Sequence, residues 1–223
     1  MIMQYCIFDN MNQCNEQEIA RLLPLVSDQR RQQALAYKHL FGQFCCLKSY
    51  ELLLQLLASS GFQTPDAGFS TPDTGFRTPD AGFSTPDTGC WTPDAGRPTF
   101  LYNEYGAPRL EHGPCFSISH CKNAIAVAIS ETPIGIDIEH IRIARPELVE
   151  RTMNEAEQQQ IWESDQPNVA FTRLWTRKEA VLKLQGTGII GDIKNTLVAL
   201  DNIDLQTKVN IDKQYAYTLA ILR

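Results

Sequence analysis

The chain has 223 residues and 43% hydrophobic content, enough for one large domain or two small ones with a buried core. Its formal charge is −6, from 26 acidic and 20 basic side chains, which argues against general nucleic-acid binding. No stretch has the apolar length that a membrane span requires, and no basic-then-apolar leader opens the chain. We therefore expect a cytoplasmic protein that binds neither nucleic acid nor membrane.

Seven cysteines are spread along the chain. Their odd number and the lack of any Cys-x-x-Cys pair argue against both a disulfide framework and a zinc site. We expect most of them to be reduced and to be buried as small apolar side chains.

The first part of the chain predicts a strand followed by three helices. Residues 2–8 alternate loosely, which favours a strand. Asn15 opens a capping signal for a short helix, and Ser27 caps a second helix that runs to about residue 37. The apolar run 44–58 predicts a third helix that is largely buried.

Basic side chains are concentrated in these helices. The segment 21–48 contains one acidic residue, Asp28. Its basic residues of interest are Arg21, Arg30, Arg31, Lys38 and Lys48. A local basic pocket is therefore compatible with the acidic total charge.

Residues 64–96 repeat a seven-residue unit, beginning TPDAGFS, TPDTGFR, TPDAGFS. Each unit has Pro-Asp followed by Gly, which is typical of turns, and none has the paired apolar positions of a coiled coil. A turn-rich solenoid is an alternative, but such short copies bury little surface. We predict a surface insertion, with a binding role as the minority alternative.

After the repeats the pattern predicts more strands and helices. Strands are expected at 99–102, 115–119, 124–130, 133–139, 196–200, 208–211 and 215–222. Helices are expected at 146–153, from Asn154 with Glu157 at the capping-box spacing, and from Pro167 to the glycines at 186 and 188. The fold class is therefore α+β, a pattern that is compatible with two similar lobes at 1–132 and 133–223.

The last of these helices carries the most informative residues. Trp175, Glu179 and Lys183 follow one another at spacings of four, so they share one helix face. Leu174, Val181 and Leu184 form a stripe on another side, as in a helix that packs on a core. An ordinary solvated helix with a Glu–Lys pair is the alternative interpretation.

A second acidic cluster lies upstream in the run GIDIE, 135–139. The alternation of a strand puts Asp137 and Glu139 on the same face. Three carboxylates, these two and Glu179, can then converge.

Carboxylates without a cluster of His or Cys beside them suit Mg²⁺ or Mn²⁺. Lys178, Lys183 and the basic segment would supply cationic partners for a bound polyphosphate. Alternatives exist for each group alone: the two strand carboxylates cap a strand end, or Lys183 is simply solvated.

Three motifs, FSISHCKN (116–123), GIDIE (135–139) and WTRKEAVLK (175–183), occur in an order that resembles the 4′-phosphopantetheinyl transferase superfamily. The size and tandem pattern resemble its monomeric, surfactin-synthetase-activating type. This resemblance implies two pseudo-symmetric α+β lobes with the active site between them. It also implies coenzyme A as co-substrate and an apo acyl or peptidyl carrier protein as partner.

The resemblance also implies roles for individual residues. Asp137, Glu139 and Glu179 would hold Mg²⁺, and Glu179 or a metal-bound water would be the base. Lys183 would hold the diphosphate as a second catalytic residue. The remaining coenzyme A contacts would come from Arg31, Lys38, Ser119, His120, Trp175 and Lys178.

Two positions depart from the family pattern. Ala107 stands where the family commonly has a lysine, and Gln43 stands where a basic residue is usual. Both changes are expected to affect coenzyme A affinity more than catalysis, with Arg109 or Arg31 as compensating cations.

Two other functions are compatible with these residues. One is another magnesium-dependent nucleotide phosphotransferase or hydrolase that uses the same carboxylates. The other is a non-catalytic module that binds carrier proteins, with the repeats as its interaction surface.

Overall fold

The computed structural model describes residues 3–60, 97–188, 192–198 and 200–223, so the predicted insertion at 64–96 lies outside the described residues. The described helices are α1 Glu16–Leu22, α2 Asp28–Ala36, α3 Leu40–Ser60, α4 Pro146–Thr152, α5 Glu155–Trp162 and α6 Pro167–Gln185. The strands are β1 Met3–Phe8, β2 Phe100–Tyr102, β3 Pro108–Leu110, β4 Cys115–Cys121, β5 Ala124–Ser130, β6 Ile134–His140, β7 Ile203–Asn210 and β8 Tyr215–Leu222. The prediction of a mixed helix and sheet fold is confirmed.

Side-chain caps set the starts of the predicted helices. Asn15 and Ser27 each accept a hydrogen bond from a backbone N–H in the first turn of α1 and α2. At α5, Asn154 and Glu157 form the reciprocal capping box. α6 ends at Gly186, whose φ of 68° is a left-handed conformation that glycine adopts without strain.

α3 begins at Leu40, four residues before the predicted start, and buries eleven residues along its length. Lys48 lies among them, and its Nζ is 2.6 Å from Glu51 Oε2, so the buried ammonium has a partner. Within the described part of the chain, no helix combines the length and the apolar character needed to cross a bilayer.

Two three-stranded antiparallel sheets carry most of the strands. The first has the order β1-β5-β4 and the second has the order β6-β8-β7. A separate hairpin pairs β2 with β3.

β5 lies in the middle of the first sheet and is buried on both faces. Ile125, Val127 and Ile129 pack into the cluster formed with α1, α2 and α3. The intervening alanines pack into a second cluster with β6 and β8 of the second sheet. Large side chains therefore face the helices and small ones face the other sheet, because a strand alternates its side chains.

β6 also divides its residues between two faces. Ile134, Ile136 and Ile138 pack in the cluster between the sheets. Gly135 lies on the face towards α6, where an added Cβ would stand 1.9 Å from Ala180 O and 2.7 Å from Leu184 N. The absence of a side chain thus lets the backbone of α6 approach β6 closely.

We expect Gly135→Ala to push α6 away from β6, because the new methyl meets backbone atoms that cannot rotate aside. Overpacking of this kind costs about 1 to 3 kcal/mol of unfolding free energy. A urea melt measures the loss, and Gly106→Ala is a control in a turn where an added Cβ meets no atom within 4 Å. Equal losses in both variants would contradict the close approach, since Gly106 has a positive φ of 79° and carries backbone strain alone.

The strand predicted at 196–200 is wrong for its described residues, 196–198 and 200. A 3-10 turn, Ile193–Asn195, precedes them, and the Thr196 backbone N–H and Oγ1 both donate to Ile193 O. Leu197 and Leu200 still pack against the core. The apolar pattern was correct, but local turn bonds replaced sheet pairing.

Candidate active site

The candidate site lies where β4, β6 and α6 meet. β4 and β6 belong to different sheets, and two serine side chains connect them. Ser117 Oγ accepts a hydrogen bond from Ile136 N at 3.0 Å, and Ser119 Oγ donates to Asp137 Oδ1 at 2.8 Å. Ser119 was predicted to contact coenzyme A. In this structure its hydroxyl is hydrogen-bonded to the carboxylate of Asp137.

Asp137 is buried and is the centre of this junction. Lys183 Nζ donates to Asp137 Oδ1 at 2.8 Å and lies 3.5 Å from Ile118 O. The Lys183 side chain remains 29% exposed, so solvent reaches the ammonium that neutralises the buried carboxylate. One predicted metal ligand and the predicted diphosphate ligand are thus brought into direct contact.

Glu139 uses both of its carboxylate oxygens within the chain. Oε1 lies 2.8 Å from His140 Nδ1, and Oε2 lies 3.0 Å from an Arg142 guanidinium nitrogen. Arg142 was not identified as a site residue from the sequence. It lies in the irregular segment after β6, and no spacing rule connects it to the Glu139 carboxylate.

Glu179 is half-buried on α6, within electrostatic reach of the other two carboxylates. Burial raises the pKa of its carboxyl group, and the negative charge of Asp137 and, more weakly, that of Glu139 raise it further. Lys183 and Arg142 act in the opposite direction. The charges of Asp137 and Glu139 therefore reach Glu179 and disfavour its ionised form.

Trp175 lies one helical turn before Glu179. The Arg142 guanidinium carbon stands 5.6 Å from the centre of the Trp175 ring, which is a cation–π arrangement. The ring also packs near Phe171, with centroids 6.2 Å apart. Trp175 is thus connected to Glu139 through Arg142.

Lys178, predicted to line the cleft, is instead buried against α5. Its side chain is 0% exposed, and its Nζ lies 2.8 Å from Glu157 Oε2. The same nitrogen donates to Ile193 O and Lys194 O at 2.9 and 2.7 Å. Because a helix turns about 100° per residue, Lys178 faces α5 while Glu179 faces the strands. Lys178 fastens the 3-10 turn to α6 rather than binding phosphate.

The other predicted coenzyme A contacts lie further out. His120 is exposed at the end of β4, and its ring centroid stands 6.2 Å from that of Phe41 at the start of α3. Arg31 pairs with Asp28 and donates to Leu23 O. Lys38 is exposed after α2. No described contact connects these last two basic residues with Asp137.

The two departures from the family pattern also have defined surroundings. Gln43 Nε2 donates to Tyr37 O at 2.9 Å, which closes the start of α3. Ala107 N donates to Asn103 Oδ1, and Asn103 Nδ2 donates to Gly186 O at 2.8 Å. The turn that carries Ala107 is thus tied to the end of α6.

The donor chemistry at the junction fits a hard divalent cation. Three carboxylates share one region, and a cation would relieve the repulsion that adds to the effect of burial on the Glu179 pKa. In the conformation seen, no group of three or more His, Cys, Asp or Glu residues among the described positions is close enough to hold a metal. Lys183 and Arg142 instead occupy the oxygens of Asp137 and Glu139.

Comparison with known proteins matches residues 133–221 to the model of the 4′-phosphopantetheinyl transferase superfamily. The family whose model matches these residues is the one that the sequence motifs resemble. The matched region contains β6 and α6, and with them Asp137, Glu139, Glu179 and Lys183.

Individual relatives agree with this assignment. The chain is similar to the 4′-phosphopantetheinyl transferases gsp of Aneurinibacillus migulanus (38% identity over 94 residues, 40% of this chain and 39% of the relative) and Sfp of Bacillus subtilis strain 168 (32% over 94 residues, 40% and 42%). It is also 34% identical to HetI of a Nostoc species over 124 residues, 50% and 52% of the two chains. The aligned parts thus span between about two fifths and one half of these relatives.

Among solved structures, a holo-[acyl-carrier-protein] synthase of Thermotoga maritima aligns with 41% of this chain and 62% of its own. The TM-score is 0.35 and the identity is 16%.

Proposed function

We propose that this chain transfers the 4′-phosphopantetheine group of coenzyme A to a serine of an apo acyl or peptidyl carrier protein. The observation that carries the proposal is the junction of β4, β6 and α6. There Asp137, Glu179 and Lys183 meet inside the region that matches the superfamily. The relatives named above are described as transferases of this type, and each alignment spans about two fifths to one half of the relative.

The reaction requires a nucleophile, a base and charge neutralisation. The carrier serine Oγ attacks the β-phosphorus of coenzyme A, the bond to the bridging oxygen breaks, and 3′,5′-adenosine bisphosphate leaves. Glu179 is the proposed base for the serine proton, because its carboxyl group lies on α6 within electrostatic reach of Asp137 and Lys183; a metal-bound water is the alternative base. Lys183 suits the diphosphate, because its ammonium is partly exposed beside the carboxylates.

Asp137, Glu139 and Glu179 are the residues that would hold Mg²⁺ or Mn²⁺. Such an ion, when bound, neutralises charge on the phosphoryl oxygens. Ser119 orients Asp137 from the neighbouring strand, and this hydrogen bond fixes one carboxylate oxygen. To bind the diphosphate, Lys183 would exchange its hydrogen bond to Asp137 for one to a phosphate oxygen of the substrate.

The arrangement of the whole chain is part of the proposal. The two antiparallel sheets, with α3 packed on the first and α6 on the second, support two pseudo-symmetric lobes with the site between them. His120 would contact the phosphates of coenzyme A from the boundary between the lobes. Arg31 and Lys38 would contact them from the first lobe. We further propose that 64–96 is an insertion outside the catalytic machinery, and that the protein is a cytoplasmic monomer.

Mass spectrometry of an apo carrier protein tests the function directly. The full chain is incubated with Mg²⁺, coenzyme A and the carrier, and the carrier mass is measured. Addition of phosphopantetheine to the carrier serine is the expected result. Nucleotide cleavage without addition would favour another magnesium-dependent phosphotransferase or hydrolase. Binding of an unchanged carrier would favour a non-catalytic module.

A further inference from the structure

Arg142 is placed to act on the candidate site although no motif contains it. Its guanidinium lies 3.0 Å from Glu139 Oε2 and above the Trp175 ring. Its backbone N–H donates to Thr172 Oγ1 at 3.0 Å, so the residue is also anchored on α6. The Arg142 side chain is 36% exposed, which leaves one side of the cation open to solvent.

The other oxygen of Glu139 is committed as well. Oε1 accepts a hydrogen bond from the His140 backbone N–H at 3.1 Å and contacts the His140 ring at 2.8 Å. Glu139 is therefore held by its own neighbours in the chain, and its carboxylate is paired with the cation of Arg142. A divalent ion that binds Glu139 has to compete with that pairing.

The positive charge of Arg142 determines whether the residue raises or lowers metal affinity. An arginine beside a carboxylate repels a metal ion that approaches the same oxygen, and it lowers the negative potential that attracts the ion. A residue that merely orients Glu139 for the metal would have the opposite effect, because its loss would weaken metal binding.

We propose that Arg142 is an internal competitor of the divalent cation at Glu139, and so reduces the affinity of the free protein for the metal. This inference rests on the cation site of the proposed function. Arg142 thereby sets the metal affinity of the free protein: its guanidinium holds Glu139 until a divalent cation displaces it. Trp175 then keeps the released guanidinium close by.

Manganese binding to the full chain, without coenzyme A or carrier protein, is the direct test. Free Mn²⁺ is measured by electron paramagnetic resonance while the protein is titrated. Arg142→Gln removes the charge but keeps a polar side chain, and we expect its affinity for Mn²⁺ to rise ~5-fold, the scale for a unit charge acting on a divalent ion from roughly 8 Å in a solvent-like dielectric. Arg142→Lys retains the charge and should stay near the unchanged protein.

Arg145→Gln is the matched control. Arg145 is an exposed arginine at the start of α4, so this variant lowers the net charge by the same amount nearby. If Arg145→Gln raises the affinity as much as Arg142→Gln, the effect is general electrostatics and the proposal is overturned.

Lower or unchanged affinity in Arg142→Gln would also overturn the proposal, as would the absence of Mn²⁺ binding in all variants. A thermal melt shows that each variant is folded before titration. The carrier-modification assay reports separately on the proposed transferase activity, so failure of this inference does not depend on failure of that function.

Discussion

Glu179→Gln is expected to lower carrier-modification turnover by at least ~100-fold, the scale for the loss of a positioned base or charged group. The substitution keeps the shape of the side chain. It removes the carboxylate that burial and Asp137 disfavour in its ionised form. Because the folded-state pKa is raised, ionised Glu179 reduces stability at a pH above that value, and a neutral amide removes this cost. The melting temperature should therefore stay constant or rise while turnover falls.

Glu150→Gln is a suitable control, since Glu150 is an exposed carboxylate on α4 and undergoes the same chemical change. Turnover is measured by carrier mass shift under saturating coenzyme A and Mg²⁺. Near-normal turnover of Glu179→Gln would remove this residue from the site. A lower melting temperature would instead assign it a structural role.

Lys178→Met is expected to reduce the free energy of unfolding by about 3 to 5 kcal/mol, as when one partner of a buried ion pair is removed. Glu157 would keep a buried carboxylate without its cation, and its Oε1 already has no hydrogen-bond partner. The carbonyls of Ile193 and Lys194 would also lose their donor. Urea unfolding measures the loss, and Lys122→Met in the exposed β4–β5 turn is the control.

The double variant Lys178→Met, Glu157→Gln separates the buried charge from simple packing. Gln retains an oxygen that can accept from Asn154 N–H, so the start of α5 stays capped. We expect the double variant to be more stable than Lys178→Met alone, because no uncompensated charge is left. If the two variants lose equal stability, the ion pair is not the cause.

How far the sequence predicts the site depends on which interactions are local. Helical spacing correctly put Glu179 and Lys183 on one face, and strand alternation correctly put Asp137 on the face that meets them. Both rules describe neighbours along one element.

The positions of the Lys178 and Arg142 side chains depend on contacts with residues that are distant in the sequence, which no such rule describes. The partner of Lys178 is on another helix, and the position of Arg142 follows from an irregular segment that is anchored to α6. A family motif gives the residue type at a position. It does not give the direction in which the side chain points.

In the fold, too, local interactions were predictable and long-range ones were not. Caps at Asn15, Ser27 and Asn154 were predictable because each connects residues three apart in the sequence. The strand predicted at 196–200 failed because whether an apolar segment joins a sheet depends on a free neighbouring edge, which the segment itself does not encode.

The alternating faces of β5 have a consequence for recombining this chain with its relatives. Ala124, Ala126 and Ala128 contribute one methyl each to the layer between the sheets, and the isoleucines of β6 fill the space that they leave. A hybrid that joins residues 133–223 to the first segment of one of the relatives brings together two surfaces that do not come from the same protein. Larger residues on the β5 side would separate the sheets and break the Ser119–Asp137 hydrogen bond. A hybrid that keeps this packing therefore requires that β5 and β6 come from the same parent protein.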